Sequence, residues 1–384
     1  MSTFAPHPRF NEALDAFDRD DVNGLGQLVQ ADPSLLSART NLDPPYHYFS
    51  GATLLHHVAG NPNRDGHPLP AHVVDIARLL LDAGSDVNAE TLGPNGGSTM
   101  GLVLTSKQAS DRDVSGPLID LLLAHGASLD LSREDALDGS LANHAPRAAE
   151  KLIELGATPD LIAAAALGRM QQLRDAFDEH GRLRSPLSRR GTVLSNRDAI
   201  GLAALYAYVR GQSDAVAFLL EKDGNWDMTG VNNGAILHRA AVRGDLPMVE
   251  RLVAKGADTS NRDNPFCATP LSWADHADQR ATFDWLRSNS RVDLHDAAGF
   301  GLTNQLHARL REDPASVNEQ RDQWQLARAT PLHVAALMDR NDIAEVLLNA
   351  GADPALRAAN GQTPLEVAEQ NNATATAALL RARL

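Results

Sequence analysis

The feature that most limits what this chain can fold into is a segment that returns. Thr330-Pro331-Leu332-His333-Val334-Ala335-Ala336 is followed by Val346-Leu347-Leu348 and Gly351-Ala352-Asp353, and Thr363-Pro364-Leu365 restarts the pattern 33 residues after Thr330. The Leu-His-x-Ala-Ala string recurs as Leu237-His238-Arg239-Ala240-Ala241 and Leu294-His295-Asp296-Ala297-Ala298, with Thr53-Leu54-Leu55-His56 and Thr269-Pro270-Leu271 as partial copies. The second half recurs too, as Leu79-Leu80-Leu81 before Gly84, Leu121-Leu122-Leu123 before Gly126, Leu152-Ile153 before Gly156, and Leu252-Val253 before Gly256. A period of this size means units that cannot bury their apolar faces alone and do so by stacking.

Each residue type has a mechanical reason for its place. Thr before Pro is a helix N-cap followed by the residue best tolerated at the first helical position. The Ala pair thins one helical face so that a neighbouring helix approaches closely, and the later Leu pair fills the layer between units. Gly ends the second helix by taking the left-handed conformation that other residues reach only at a cost. The unit is therefore helix, tight turn, helix, extended loop.

On these residues the chain resembles the ankyrin repeat, whose pattern runs Thr-Pro-Leu-His-x-Ala-Ala, then Leu-Leu, then Gly-Ala-Asp. Aligned on the Thr position, the units are anchored at Asn11, Thr53, Thr99, Asp135, Pro159, Leu202, Ala235, Thr269, Val292, Thr330 and Thr363. The resemblance implies an all-α solenoid of about eleven helix-turn-helix units with loop or β-hairpin fingers, a single array over 9–384 after an N-terminal extension of 1–8. The intervals after Asp135 and after Thr269 are too short for a loop. The finger is expected to be missing there, and the array is expected to divide into blocks 9–158, 159–291 and 292–384. The units at Thr99 and Asp135 keep only their second helix and Gly clearly. The insertions Asn61 to Pro70 and Ser106 to Gly116 read as lengthened turns.

The chain has 384 residues and a net charge of -14, which argues against nucleic acid or an anionic membrane as partner and favours a neutral or basic protein. Only four of its 35 basic residues are lysine (Lys107, Lys151, Lys222, Lys255), and with abundant Ala this skew points to a GC-rich bacterial genome. One cysteine, Cys267, allows no internal disulfide, and the start shows neither a signal peptide nor a membrane span. A cytoplasmic monomer with capped ends is expected.

No cofactor is indicated, and neither a phosphate loop, a nucleophile elbow nor a His-Glu-x-x-His motif is present in the sequence. The chain reads as no enzyme. His56, His57, His67 and His72 are close in sequence, but His56 shares its repeat position with His238, His295 and His333, where the resemblance implies a structural hydrogen bond to a neighbouring loop. No metal site is expected, and Asp18, Asp20 and Asp21 read as a solvated turn. Aromatic residues make up only 4% of the chain, yet Tyr46, Tyr48 and Phe49 gather in one loop and Trp226, Phe266 and Trp324 fall in others. Such rings either dominate an interface or pack down on their neighbours. The resemblance further implies a concave partner-binding face on positions after the Ala pair: Val209 and Arg210, Val242 and Arg243, Phe300, and Leu337 and Met338. Arg182, Arg184, Arg189, Arg190 and Arg197 form a basic stretch free of acidic residues, in which Arg182, Arg184, Arg189 and Arg190 are candidate anion-binding groups. The expected function is a protein-interaction scaffold or regulator. The rival readings are a metal-dependent hydrolase using the His-bearing insertion 56–72 and an exported, host-directed effector.

Overall fold

A computed structural model describes residues 7–40, 50–60, 67–93, 97–130, 135–189, 191–229, 234–263, 266–323 and 325–384. The chain forms two compact units, one of residues up to Ser195 with Arg210–Ala215, the other of Asn196–Val209 with Val216–Leu384. Both are stacks of antiparallel helix pairs, the all-α architecture that the repeat implies.

In the first unit the pairs are Phe10–Asp18 with Val22–Ala31, Leu54–Ala59 with Val73–Asp82, Thr99–Leu104 with Ser115–Ala124, Asp135–Ala142 with Pro146–Glu154, and Leu161–Ala166 with Met170–Asp175. Leu54–Ala59 is a 3-10 helix. Phe17, Leu25, Leu55, Ile76, Leu80, Leu118 and Leu122 are fully buried in its core. The Ser106 to Gly116 insertion is not a simple lengthened turn. Ser106 caps a short helix, Lys107–Asp111, by accepting the Ala109 N–H at 3.0 Å. A two-stranded hairpin pairs Ser188 with Val193 and Arg189 with Thr192.

In the second unit Ile236–Arg243 pairs with Leu246–Ala254, Pro270–His276 with Arg280–Asn289, Leu294–Gly299 with Thr303–Glu312, Pro331–Leu337 with Asn341–Asn349, and Pro364–Gln370 with Thr374–Arg381. Gly256 closes one second helix at φ +87, with its N–H on Val253 O at 3.0 Å and the Ala257 N–H on Leu252 O at 3.0 Å. One finger is a hairpin, Arg321–Gln323 with Leu326–Ala329.

Where the repeated histidine is kept as His238, His295 and His333, it ties its unit to the next loop. His333 Nε2 lies 3.1 Å from Gln362 O and must carry the ring proton, so Nδ1 is an acceptor; it takes the Thr330 N–H at 3.2 Å and sits 2.7 Å from Thr330 Oγ1. His238 and His295 reach Ala268 O at 3.1 Å and Ala329 O at 3.0 Å in the same way. Their Nδ1 atoms, however, are buried without a partner, because Ala235 and Val292 stand where the His56 and His333 units have Thr53 and Thr330. Ala235 is also a helix N-cap with no side-chain cap hydrogen bond. Ala235→Thr is therefore expected to stabilise the protein by about 1 kcal/mol, through the cap alone. A lower urea midpoint for the variant would contradict this account of the tie.

Candidate functional site

First helices pack on one another from Ile236–Arg243 to Pro270–His276, and again from Leu294–Gly299 through Pro331–Leu337 to Pro364–Gln370. The step between Pro270–His276 and Leu294–Gly299 lacks this close packing. The cause is local sequence. After Thr269-Pro270-Leu271 the unit reads Ser272-Trp273-Ala274-Asp275, where the strict units have His, x, Ala, Ala. The histidine tie is lost, a bulky indole stands on the face, and Asp275 replaces a thin alanine. No finger separates this unit from the next, since the chain runs from the Arg280–Asn289 helix to Leu294 with only a short extended link.

A hollow of about 520 Å³ opens at this place. Most of its wall is apolar, from Val242, Phe266, Trp273, Phe300, Leu326, Val334, Leu337 and Met338, and the rest is polar, from Arg262, Ser272, Asp275, His276, His295, Asp296, Gln323 and Gln325. Phe266 and Trp273 meet edge to face at 6.3 Å, Phe300 lies against Phe283 at 5.2 Å, and Arg239 stacks over Trp273 at 4.9 Å. Phe266 and Met338 remain 45% and 49% exposed, two of the few large apolar side chains that the described residues leave in solvent.

Beneath the walls Arg262 fills the gap that the missing finger leaves. Its Nη2 donates to Asp293 at 2.6 Å and to Asp296 at 2.8 Å, Nε to Asp293 at 3.1 Å, and Nη1 to Cys267 O at 2.6 Å and to Gln323 Oε1 at 3.4 Å. Thr269 donates to Asp296. Asp293 also N-caps the Leu294–Gly299 helix by accepting the Asp296 N–H at 2.8 Å. Burial works against the Arg262 charge, but Asp296 and Asp293 outweigh it and hold the guanidinium above its ordinary value. Burial likewise raises Asp293, yet Arg262 and the Asp296 N–H hold it net below the usual carboxylate range. Burial, reinforced by the Asp293 charge, pushes Asp296 up. Burial also raises the Cys267 thiol, the opposite of what an activated nucleophile needs.

Of the side chains singled out from sequence, the fold brings Phe266, Phe300 and Met338 together on this hollow. Others have different roles. Trp226, expected as a contact ring, is 5% exposed and packs against Gly224, where an added Cβ would meet its ring at 2.6 Å. Arg210 donates to Leu141 O, and Arg243 donates to Tyr208 O at 2.8 Å and Val209 O at 3.0 Å. Arg340 ties to Gly299 O at 3.1 Å in the same manner, so these arginines brace the turn of a neighbouring helix. Among the described residues of the basic stretch, Arg182 pairs with Asp178 at 3.1 Å, Arg189 with Asp138 and with Asp160 at 3.4 Å, and Arg184 donates to Phe177 O at 2.9 Å. Tyr46, Tyr48, Phe49, Arg190 and Trp324 lie outside the described residues.

Two histidines from the described end of the His-bearing insertion and just beyond it reach the acidic turn. His67 Nδ1 lies 3.2 Å from Asp18, and His72 Nδ1 lies 2.7 Å from Asp20. That turn is thus more than a solvated cluster. Among the described residues no group of three or more His, Cys, Asp or Glu could hold a metal ion, and no helix is long and apolar enough to cross a membrane. Arg262, Asp293, Asp296 and Trp273 were not legible as site residues, although the short interval before Val292 and the Ser-Trp-Ala-Asp departure mark the place.

Models for known families match three stretches of the chain. One described as ankyrin repeat matches 50–92 and 235–264, and one described as ankyrin repeats in many copies matches 310–368. The chain is similar to NF-kappa-B inhibitor alpha of Rattus norvegicus, 39% identical over 79 residues, and to that of Homo sapiens, 38% identical over the same length; each match covers 21% of this chain and 24% of the relative. It is also similar to 2-5A-dependent ribonuclease of Homo sapiens, 49% identical over 61 residues, 15% of this chain and 8% of the relative. The chain thus spans about a quarter or less of the length of these curated relatives.

Proposed function

The chain is an ankyrin-repeat protein, and from that premise we propose that it is a protein-binding scaffold or regulator that holds a protein partner on the first-helix and loop face of its second unit, centred on the hollow at Phe266, Trp273, Phe300 and Met338. The observation that carries the reading is the exposure of Phe266 and Met338 on an apolar concavity in a chain poor in aromatic residues. Aromatic and methionine side chains in partly enclosed sites are what interfaces use as anchors. A relative named as an inhibitor of another protein is in keeping with this role, and the net charge of -14 favours a neutral or basic partner over nucleic acid or an anionic membrane. The same reading makes the chain a cytoplasmic monomer with no enzymatic step of its own.

The test is retention of proteins from an extract of the source organism by the tagged full-length chain. Phe266→Ala and Met338→Glu are each expected to lower retention of the specific partner about tenfold or more, the loss that goes with an anchor worth at least about 1.4 kcal/mol. Val193→Glu, on an exposed hairpin of the first unit, serves as control. Equal retention by all four proteins sinks the assignment of the face.

A further inference from the structure

The hollow differs from a flat interface in holding about 520 Å³ of half-enclosed space, which is the scale of a small-molecule site. Its charged lining groups are already matched within the protein. Arg262 is taken up by Asp293, Asp296, Cys267 O and Gln323; Asp296 is taken up by Arg262 and Thr269; and Asp275 pairs with Arg280 at 3.2 Å. An ionic ligand would leave water and meet no unmatched counter-charge, which is unfavourable. A neutral apolar ligand would cover Phe266 and Met338 and lie among the rings of Phe266, Trp273 and Phe300, where flat aromatic surface packs best.

We propose that this hollow is a binding site for an uncharged aromatic small molecule. The inference goes beyond the partner-binding reading and stands without it, since it concerns a ligand of the isolated chain. A ligand seated there covers the same side chains that the partner reading uses, so the two occupants would exclude one another.

The experiment uses one ring frame with three charges: 2-naphthol, neutral at pH 7, 2-naphthoate, anionic, and 2-naphthylmethylamine, cationic. Cys267 lines the hollow and is the chain's only cysteine, so its alkylation by uncharged iodoacetamide reports occupancy. The methyl resonance of Met338 gives a second readout. The neutral compound is expected to slow alkylation saturably and to shift the Met338 signal, with both ions binding about tenfold more weakly or worse. Trp273→Ala is expected to weaken 2-naphthol about tenfold, and Met338→Glu, at an exposed position, to do the same. Absence of saturable protection by 2-naphthol overturns the proposal, as does equal or tighter binding of either ion. Binding unchanged in both variants would place the ligand elsewhere and also overturn it. None of these outcomes depends on a protein partner, so failure here leaves the partner reading standing, and failure of the retention test leaves this one.

Discussion

Arg262→Met is expected to destabilise the second unit by about 3–5 kcal/mol, the cost of leaving a buried charge without its partner. The guanidinium is the common partner of Asp293 and Asp296, two carboxylates with 10% and 6% side-chain exposure. Removing it leaves them facing one another, with Arg321, 3.5 Å from Asp293, as the remaining paired cation. Asp296, already pushed up by burial and by Asp293, would take a proton first, which softens but does not abolish the loss. The triple change Arg262→Met, Asp293→Asn, Asp296→Asn is expected to recover most of it, because no buried charge remains and Asn still caps the Leu294–Gly299 helix. Urea denaturation followed by tryptophan fluorescence checks both. A loss below about 1 kcal/mol for Arg262→Met would mean that the pairs behave as solvent-exposed ones and do not hold the fingerless junction together.

Acidification is expected to have the second large effect. Burial lowers the ring pKa of both His56 and His238 from 6.5 to about 4, and lowers those of His295 and His333 as well. A histidine whose folded value lies below its unfolded one stays neutral in the folded protein while the unfolded chain takes up the proton. Its contribution is whole above pH 6.5 and is lost as pH falls towards 4. The gap is worth about 3 kcal/mol at each of the first two sites. Asp227 and Asp296, raised by burial, work in the opposite sense over the lower part of that window and reduce the net fall. The clean readout is therefore a difference: His238→Gln is expected to be less stable than the parent at pH 7 and to lose less on going to pH 4.5. Parallel stability curves for the two proteins would show that His238 is not held neutral.

The repeat made much of this fold legible. Thr-Pro caps, Ala pairs, Leu pairs and terminal glycines are local signals, and the helices at Ile236–Arg243, Pro331–Leu337 and Pro364–Gln370 follow directly from them. What the sequence hid was pairing between distant residues. Arg189 looked unpaired because its acids, Asp138 and Asp160, lie far upstream. Arg262 carried no local signal because its partners, Asp293 and Asp296, belong to a later unit. Trp226 looked like a contact ring because nothing in its neighbourhood tells a buried loop from an exposed one. The hollow itself had a signal in two facts together, a unit that drops the His-x-Ala-Ala string and an interval too short for a finger. Either alone would read as a weakly written repeat, whereas together they remove a tie and a spacer at the same step of the stack.

The central claim, that the second unit's hollow is where a protein partner sits, is tested most directly by crosslinking from its rim. A photoreactive residue in place of Met338 in the full-length chain, irradiated in an extract of the source organism, is expected to yield a covalent adduct with one specific protein. The same group at Val193, more exposed than Met338 but on the hairpin of the first unit, is expected to yield none. Adducts absent from position 338, or formed equally from position 193, would contradict the account.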